Sequence, residues 1–445
     1  MKKTFFIYHR IIFSNKFAKF VSLAIFFLED FGMLKQLIST YNSIKLNYRI
    51  AIAIVIGTLL GILLPGQKWI GELGILFVGA MKGIAPILVF ILIVNSLSTG
   101  KTSIDKRFGK VFAFYLISTI LASLVAISAS FLFPQSLQLA HEATTTAILP
   151  KGIGEILNNL LVRAVSNPFE AITQANYIGI LVWSVIFGLA IRNHAEESTK
   201  HLLQDCAVAV TAIVRWLINL APFGILGLIH SSIATNGIGI LKTYGVLIGI
   251  LAGTMFFTAF IIAPLVVGAA LKRDPYPLLI FCLKESGITA LFTRSSAANI
   301  PVNMEACEKL KLDREFYSVS IPLGATINMN GAAITIAIMT LATAHTLGIS
   351  VDFPTALTLC VVSTIGACGA SGIAGGSLFL IPMACSFLGI SNDIAMQVVG
   401  VGFIIGVVQD SLETALNSST DVFYTAAAEY SGWIAEGKHL PRRFR

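Results

Sequence analysis

Charge is scarce in this sequence: Asp, Glu, Lys and Arg together make up 12% of its 445 residues. Soluble domains run near 25%, so a water-facing surface of this size has too few ions to cover it. The six cysteines (Cys206, Cys282, Cys307, Cys360, Cys368 and Cys385) form no C-x-x-C pair and no zinc spacing. That removes a redox motif and leaves them as small apolar fillers within helices. There is no H-E-x-x-H, and the seven histidines (His9, His141, His194, His201, His230, His345 and His439) avoid the polar clusters of the second half, which disfavours a membrane enzyme. A phosphate loop is missing too. Gly100-Lys101-Thr102 ends like one, but Asn95 stands where the upstream glycine is required, and no strand precedes it.

What is present in quantity is apolar: 56% of the chain, gathered in runs such as 51–65, 111–134, 177–191 and 246–271. A helix needs about 20 residues to cross a bilayer core, and about eight such spans are expected, with two further apolar segments that are interrupted. The runs are continuous rather than alternating, which argues against a barrel. The fold class expected is therefore an all-α polytopic membrane protein.

The net charge of +8 fits a positive-inside bias better than nucleic-acid binding. Lys101, Lys106, Arg107 and Lys110 follow the second span, Arg192 and Lys200 the fourth, Lys272 and Arg273 the sixth, and Lys438, Arg442, Arg443 and Arg445 the last. The alternate connections hold little beyond Lys68 and Lys242, so both termini are expected in the cytoplasm. Residues 1–44 form an N-terminal segment whose apolar patch at 20–28 is too short to span. The true start is expected at Met33, or the segment lies at the interface. Residues 431–445 read as a basic cytoplasmic tail.

The character of the chain changes after Pro275. Small and polar residues enter the apolar segments at 293–301, 326–331, 366–377 and 410–421. Non-helical backbone survives at membrane depth only when buried in protein or lining a wet cavity, and transporters place their sites at such breaks. The stretches 295–301 and 371–377 are both small-residue tips, each leading to an Ile-Pro step. Two readings stay open for this pairing: hairpins of an inverted repeat, or small residues at helix contacts.

Asp410, Thr414, Asn417 and Asp421 lie on one face of the last span, within roughly 60° of one another, with Glu413 on the flank. A carboxylate at the bilayer centre costs about 2.5–3.5 kcal/mol. Three in one helix call for cations, a ligand ammonium, or Arg294. Asn328-Met329-Asn330-Gly331 interrupts another apolar helix. Its freed carbonyls at Gly324, Thr326 and Asn328, with the Asp421 carboxylate, make an oxygen cage for a hard cation. The alternative there is a polar contact between helices. Arg294-Ser295-Ser296, at the first tip, offers N–H groups and hydroxyls to a carboxylate, and the glycine-rich second tip permits close approach and hinging. Lys82 and Arg215 fit snorkelling or helix contacts better than ligand binding.

The order Thr-Arg-Ser-Ser, Asn-Met-Asn-Gly, a Gly-rich tip and Asp-x-x-x-Thr-x-x-Asn-x-x-x-Asp resembles the dicarboxylate/amino acid:cation symporters, the glutamate-transporter family. The likeness runs over roughly residues 45–430 and is nearest the bacterial branch that carries serine and threonine with sodium. The resemblance implies eight spans and two re-entrant hairpins per protomer, a homotrimer, and a transport core (mainly 275–430) sliding as an elevator on scaffold helices (mainly 45–270). It implies that Asp410 takes the substrate ammonium with Thr414 beside it, and that Asn417, Ser295 and Ser296 take the α-carboxylate. Gly372, Ile373, Gly375 and Gly376 would form the gate, and Arg294 would balance charge. Gly324, Asn328, Asn417 and Asp421 would hold one sodium ion, and Thr326 with carbonyls near Cys368 and Ala370 a second. Sodium is then a co-transported ion; no organic cofactor and no nucleic-acid partner is implied.

Two departures from the family pattern carry information. Members that carry acidic amino acids have Arg where Glu413 stands. Glu413 repels a side-chain carboxylate and can accept from a hydroxyl, so serine and threonine are favoured over glutamate, aspartate or dicarboxylates. Acidic members also have Asp where Asn330 stands, beside a group that reads Tyr115, Ser118 and Thr119 here. The missing charge weakens that third cation site and predicts fewer coupled sodium ions. Gly406 likewise replaces a family carboxylate. A carrier for dicarboxylates with protons and a channel-like conductance are the rival classes.

Overall fold

The computed structural model describes residues 39–98, 106–139 and 161–441, apart from 42, 371 and 373. Most of the N-terminal segment, Ser371 and Ile373 of the second tip, and Arg442, Arg443 and Arg445 of the tail therefore lie outside the described residues. The chain divides into two compact units, Met1–Ile52 and Ala53–Arg445. In the first, the Arg49 guanidinium lies 4.2 Å from the centroid of the Tyr41 ring.

Among the described residues every regular element is a helix. In chain order they are α1 (Leu46–Leu63), α2 (Lys68–Ser98), α3 (Lys106–Leu132), α4 (Pro168–Thr173), α5 (Tyr177–His194), α6 (Glu197–Asn219), α7 (Ala221–Asn236) and α8 (Ile240–Leu271). Then follow α9 (276–293), α10 (Ile300–Lys309), α11 (Arg314–Ile327), α12 (Asn330–Thr346), α13 (Phe353–Ala367), α14 (Gly376–Phe387) and α15 (Asn392–Ala435).

Seven of the described helical stretches are long and apolar enough to cross a membrane, with α11 and α12 counted together. The sequence led to an expectation of about eight. The difference lies in α1, whose apolar stretch, Tyr48–Leu63, falls among the shorter helices. It is closed by Pro65 and Gly66 shortly after Leu63, residues that do not prolong a helix.

The burial of these stretches separates two roles. The apolar windows of α5 and α6 are 33% and 28% buried, whereas those of α11–α12 and α15 are 89% and 83% buried. The first pair leaves large side chains such as Leu202 and Trp216 facing outward, a surface suited to lipid rather than water. The second pair forms an interior, and it is the interior that holds the polar residues.

Packing follows from small residues where helices come closest. α2 packs against α5, α6 and α7. A Cβ added to Gly227 would lie 2.5 Å from the backbone N of Gly74, so the α2–α7 contact is made backbone to backbone. α12 packs on α3, α13 and α15, and α15 also meets α9, α10, α11 and α14.

Two helix–tip–helix hairpins sit within this core. In the first, α9 widens into a π turn at Leu283–Gly287 and ends at Arg294, which adopts a left-handed φ of 54°. α10 then starts with Pro301 in its first turn, where the missing N–H costs nothing. At the far end of the arms Lys309 pairs with Glu285 at 2.8 Å and Glu305 at 2.9 Å. Those hydrogen bonds, led by the one to Glu285, hold the lysine above its usual range. In the second hairpin, α13 starts on an Asp352 N-cap that accepts from the Thr355 N–H at 2.9 Å, and α14 returns after the glycine-rich tip.

The Asn-Met-Asn-Gly stretch breaks the helix between α11 and α12 at Asn328 and Met329, with backbone angles outside the helical range. Lys82, in α2, forms an ion pair with Asp393 in the first turn of α15, which accounts for a cation inside an apolar run. Arg215 is exposed.

Candidate functional site

The last helix, the broken helix and the two tips converge on the interior. Asn417 explains part of the convergence. α12 begins with N–H groups that have no partner in their own helix, and the Asn417 Oδ1 accepts one of them, from Gly331, at 2.7 Å. The last helix thus caps the second half of the broken one. Gly331 is closely held there: a Cβ on it would lie 2.8 Å from the Glu413 Cα.

The tips touch each other. Ser295 Oγ donates to the Gly372 carbonyl at 2.9 Å, and the Ala297 N–H donates to the same oxygen at 3.2 Å. Gly372 has φ 59° and Gly375 φ 71°, a region that side chains other than glycine rarely adopt. A Cβ on Gly372 would also lie 2.6 Å from the Ala325 carbonyl. Ser296 is buried beside Gly372, and Gly376, which follows Gly375 in the tip, is buried as well.

Asp410 is where both tips meet the last helix. Arg294 Nε lies 2.8 Å from Asp410 Oδ2, with side chains 9% and 2% exposed. The Gly375 N–H donates to the same oxygen at 3.1 Å. One carboxylate oxygen therefore receives a guanidinium from the first hairpin and a backbone amide from the second. Both are charge-assisted bonds in a dry setting. Thr414, one turn on from Asp410, is also buried.

Glu413 points to a different set. Its Oε2 accepts from Thr335 Oγ1 at 2.8 Å, from Ser377 Oγ at 2.9 Å and from Gln409 Nε2 at 2.5 Å. Thr335 belongs to α12, Ser377 to α14 and Gln409 to α15. All three donors are neutral. The sequence reading missed Gln409, Thr335 and Ser377. Gln409, one turn before Glu413, was the one with a visible signal, since it extends the polar stripe of the last helix.

Asp421 is fully buried, and Asn328 Nδ2 donates to its Oδ1 at 2.9 Å, as well as to the Asn417 carbonyl at 3.1 Å and Thr420 Oγ1 at 2.8 Å. Gly324 faces the same carboxylate: a Cβ there would lie 2.6 Å from Asp421 Oδ1 and 2.8 Å from the Tyr115 hydroxyl. Gly324, Asn328, Asn417 and Asp421 are thus brought together. The same end of α11 offers further oxygens, since its last carbonyls have no partner in the helix. The Cys368 thiol lies 3.6 Å from the Ile327 carbonyl, and Thr326 donates to Leu323 within its own helix at 2.9 Å.

Tyr115, Ser118, Thr119 and Asn330 also come together, all fully buried. Ser118 Oγ donates to Asn330 Oδ1 at 2.6 Å and Thr119 Oγ1 donates to it at 3.0 Å. Tyr115 turns away, donating to the Ser320 carbonyl at 3.1 Å. The Asn330 oxygen therefore already accepts from the Ser118 hydroxyl, while the single Thr119 proton is shared with the Tyr115 carbonyl at 2.7 Å.

A further buried amide cluster was not foreseen. Asn299 Nδ2 donates to Ser418 Oγ at 2.8 Å and Ser286 Oγ at 3.0 Å, and Asn303 Nδ2 donates to the Ser418 carbonyl at 3.1 Å. It ties both arms of the first hairpin to the last helix. No comparable set of polar bonds to the last helix is present in the second hairpin among the described residues, beyond those of Gly375 and Ser377.

Comparison with known proteins adds to this geometry. A model of the sodium:dicarboxylate symporter family matches residues 46–431. The serine/threonine transporter SstT of Bifidobacterium adolescentis is 56% identical over 401 residues, covering 90% of this chain and 93% of the relative. SstT of Streptococcus thermophilus is 56% identical over 400 residues, covering 90% and 99%. SstT of Streptococcus agalactiae is 55% identical over 398 residues, covering 89% and 99%.

Proposed function

The chain belongs to the sodium:dicarboxylate symporter family, and from that premise we propose that it is a sodium-coupled symporter taking up serine and threonine across the bacterial cytoplasmic membrane. It is a multi-pass membrane transporter, not an enzyme. Serine and threonine follow from relatives that share more than half of its residues over nearly their whole length and are named as transporters of those two amino acids.

The observation that carries the substrate choice is the environment of Glu413. An acid stands there, held by three neutral donors and by no cation among the described residues. A second carboxylate brought to it meets like charge in a low dielectric, whereas a hydroxyl finds an acceptor. Asp410 receives the substrate ammonium in exchange for the Arg294 guanidinium. The released Arg294, the N–H groups and hydroxyls of Ser295 and Ser296, and Asn417 are the partners for the α-carboxylate. Gly372, Ile373, Gly375 and Gly376 close over it.

Sodium occupies the oxygens around Gly324, Asn328, Asn417 and Asp421, and a second ion those around Thr326 and the tip near Cys368 and Ala370. Substrate and cation share Asn417 and the break in the helix, so each orders backbone that the other uses. That is positive coupling between sites. Two helix–tip–helix hairpins in the same core support an inverted-repeat, elevator-type carrier, assembled as a homotrimer. The cations after α3's preceding connection, after α5 and after α8 support cytoplasmic termini.

A competition panel tests the reading. Excess threonine is expected to suppress labelled serine uptake, and aspartate and succinate to leave it unchanged. Suppression by aspartate equal to that by threonine would refute the role of Glu413. For the third cation site, Asn330→Asp restores a charge beside Ser118 and Thr119. It is expected to lower the sodium concentration for half-maximal uptake about tenfold and to steepen its Hill slope. An unchanged sodium curve would show that the site lacks more than its charge.

A further inference from the structure

Gln409 is buried to all but 2% of its surface and stands next to Asp410 and one turn before Glu413 in the last helix. Its amide orientation is fixed by its surroundings. Nε2 lies 2.8 Å from Thr335 Oγ1 and 2.5 Å from Glu413 Oε2. Turning the amide over would set its carbonyl oxygen against that carboxylate oxygen, so the nitrogen must stay where it is. The consequence falls on the other end of the group. Gln409 Oε1 is a buried acceptor with no hydrogen-bond partner among the described residues.

A buried, unpaired carbonyl is disfavoured, and native proteins keep few of them without a reason. Asp410 follows Gln409 directly and Glu413 is one turn on, so the acceptor belongs to the same stretch of the last helix as the group proposed for the ammonium and the one proposed for the side chain. The donors of the neighbourhood are already spent. Thr335, Ser377 and the Gln409 amide all converge on Glu413 Oε2, and no described residue donates to Glu413 Oε1. Around Glu413 the groups left unspent are therefore acceptors, which is the complement of a hydroxyl group.

We propose that Gln409 is a specificity-determining residue: its nitrogen holds Glu413 in place, and its oxygen, with Glu413, accepts the hydroxyl proton of a serine or threonine side chain. The inference rests on the serine/threonine reading above and deepens it. A site built to bond a hydroxyl rejects the analogue that lacks one, because its polar groups are then left unpaired. Alanine is that analogue for serine. Ser377 places the same contact on the second hairpin, so the hairpin that closes over the substrate also helps to orient Glu413.

The experiment uses the full chain in proteoliposomes with an imposed sodium gradient. Inhibition constants of serine and alanine against labelled serine are measured for wild type, Gln409→Leu and Gln409→Met. The two apolar variants keep the approximate volume while removing both polar ends, so one serves if the other fails to insert. The alanine-to-serine ratio of inhibition constants is expected to fall about tenfold in the variants, with the sodium dependence unmoved. A structural defect would instead shift sodium and both amino acids together. A ratio equal to that of wild type, or equal weakening of serine and alanine, overturns the proposal. Absence of serine uptake by wild type would refute the functional reading itself, so the two failures are told apart.

Discussion

Asp410→Asn is expected to reduce serine uptake by about a hundredfold or more, the effect of removing one partner from a buried ion pair. In the wild-type chain Asp410 Oδ2 takes both Arg294 and the Gly375 amide. The neutral amide leaves the guanidinium buried without its counter-charge and gives the substrate ammonium no anion to meet. Breaking such a pair costs about 3–5 kcal/mol. Two effects are mixed in that figure, and Arg294 separates them. The double variant Arg294→Ala, Asp410→Asn removes the orphaned cation, so protein yield and thermal stability should recover. Uptake should not, because the ammonium still lacks its partner and the α-carboxylate has lost Arg294. Recovery of uptake in the double variant would mean that Asp410 serves Arg294 alone.

Asp421→Asn has the second-largest expected effect, on sodium rather than on substrate. Asp421 is buried beside Asn328, Gly324 and Asn303, and no described cation pairs with it. A carboxylate in that position needs a positive charge. Removing its charge is expected to raise the sodium concentration for half-maximal uptake by about a hundredfold. At saturating sodium, serine affinity should return toward the wild-type value, because coupling acts through occupancy of the cation site. Loss of serine affinity with an unchanged sodium curve would place Asp421 in the substrate site instead.

Much of this arrangement is legible in the sequence because the bilayer makes polar residues conspicuous. Asp410, Glu413, Asn417 and Asp421 stand out in an apolar helix at helical spacing, and the Asn-Met-Asn-Gly break interrupts another apolar run. Both features need only local periodicity. The missed residues have no such signal. Thr335 and Ser377 are ordinary small polar residues, and they reach Glu413 from 78 and 36 positions away. Only the packing of α12 and α14 on α15 brings them there.

The amide cluster around Ser418 was hidden for the same reason. Asn299 falls within a stretch that reads as a hairpin tip, and its partners lie in a π turn and in the last helix. A π turn widens one step of the ladder and leaves no mark in apolar periodicity. The one difference in span counting is α1, whose apolar stretch Tyr48–Leu63 stands among the shorter apolar helices rather than with the seven. Lys82 reads from the sequence as a snorkelling or helix-contact residue, and its partner Asp393, 311 positions away, could not be named without the fold.

The role of sodium as driving ion is tested most directly by serine accumulation in proteoliposomes with an inward sodium gradient, the proton gradient being collapsed by an uncoupler. Serine is expected to rise above its external concentration, to be lost when sodium is equal on both sides, and to be displaced by threonine but not by aspartate. Accumulation that persists without the sodium gradient, or that depends on the proton gradient, would contradict the assignment of the cation sites around Asp421.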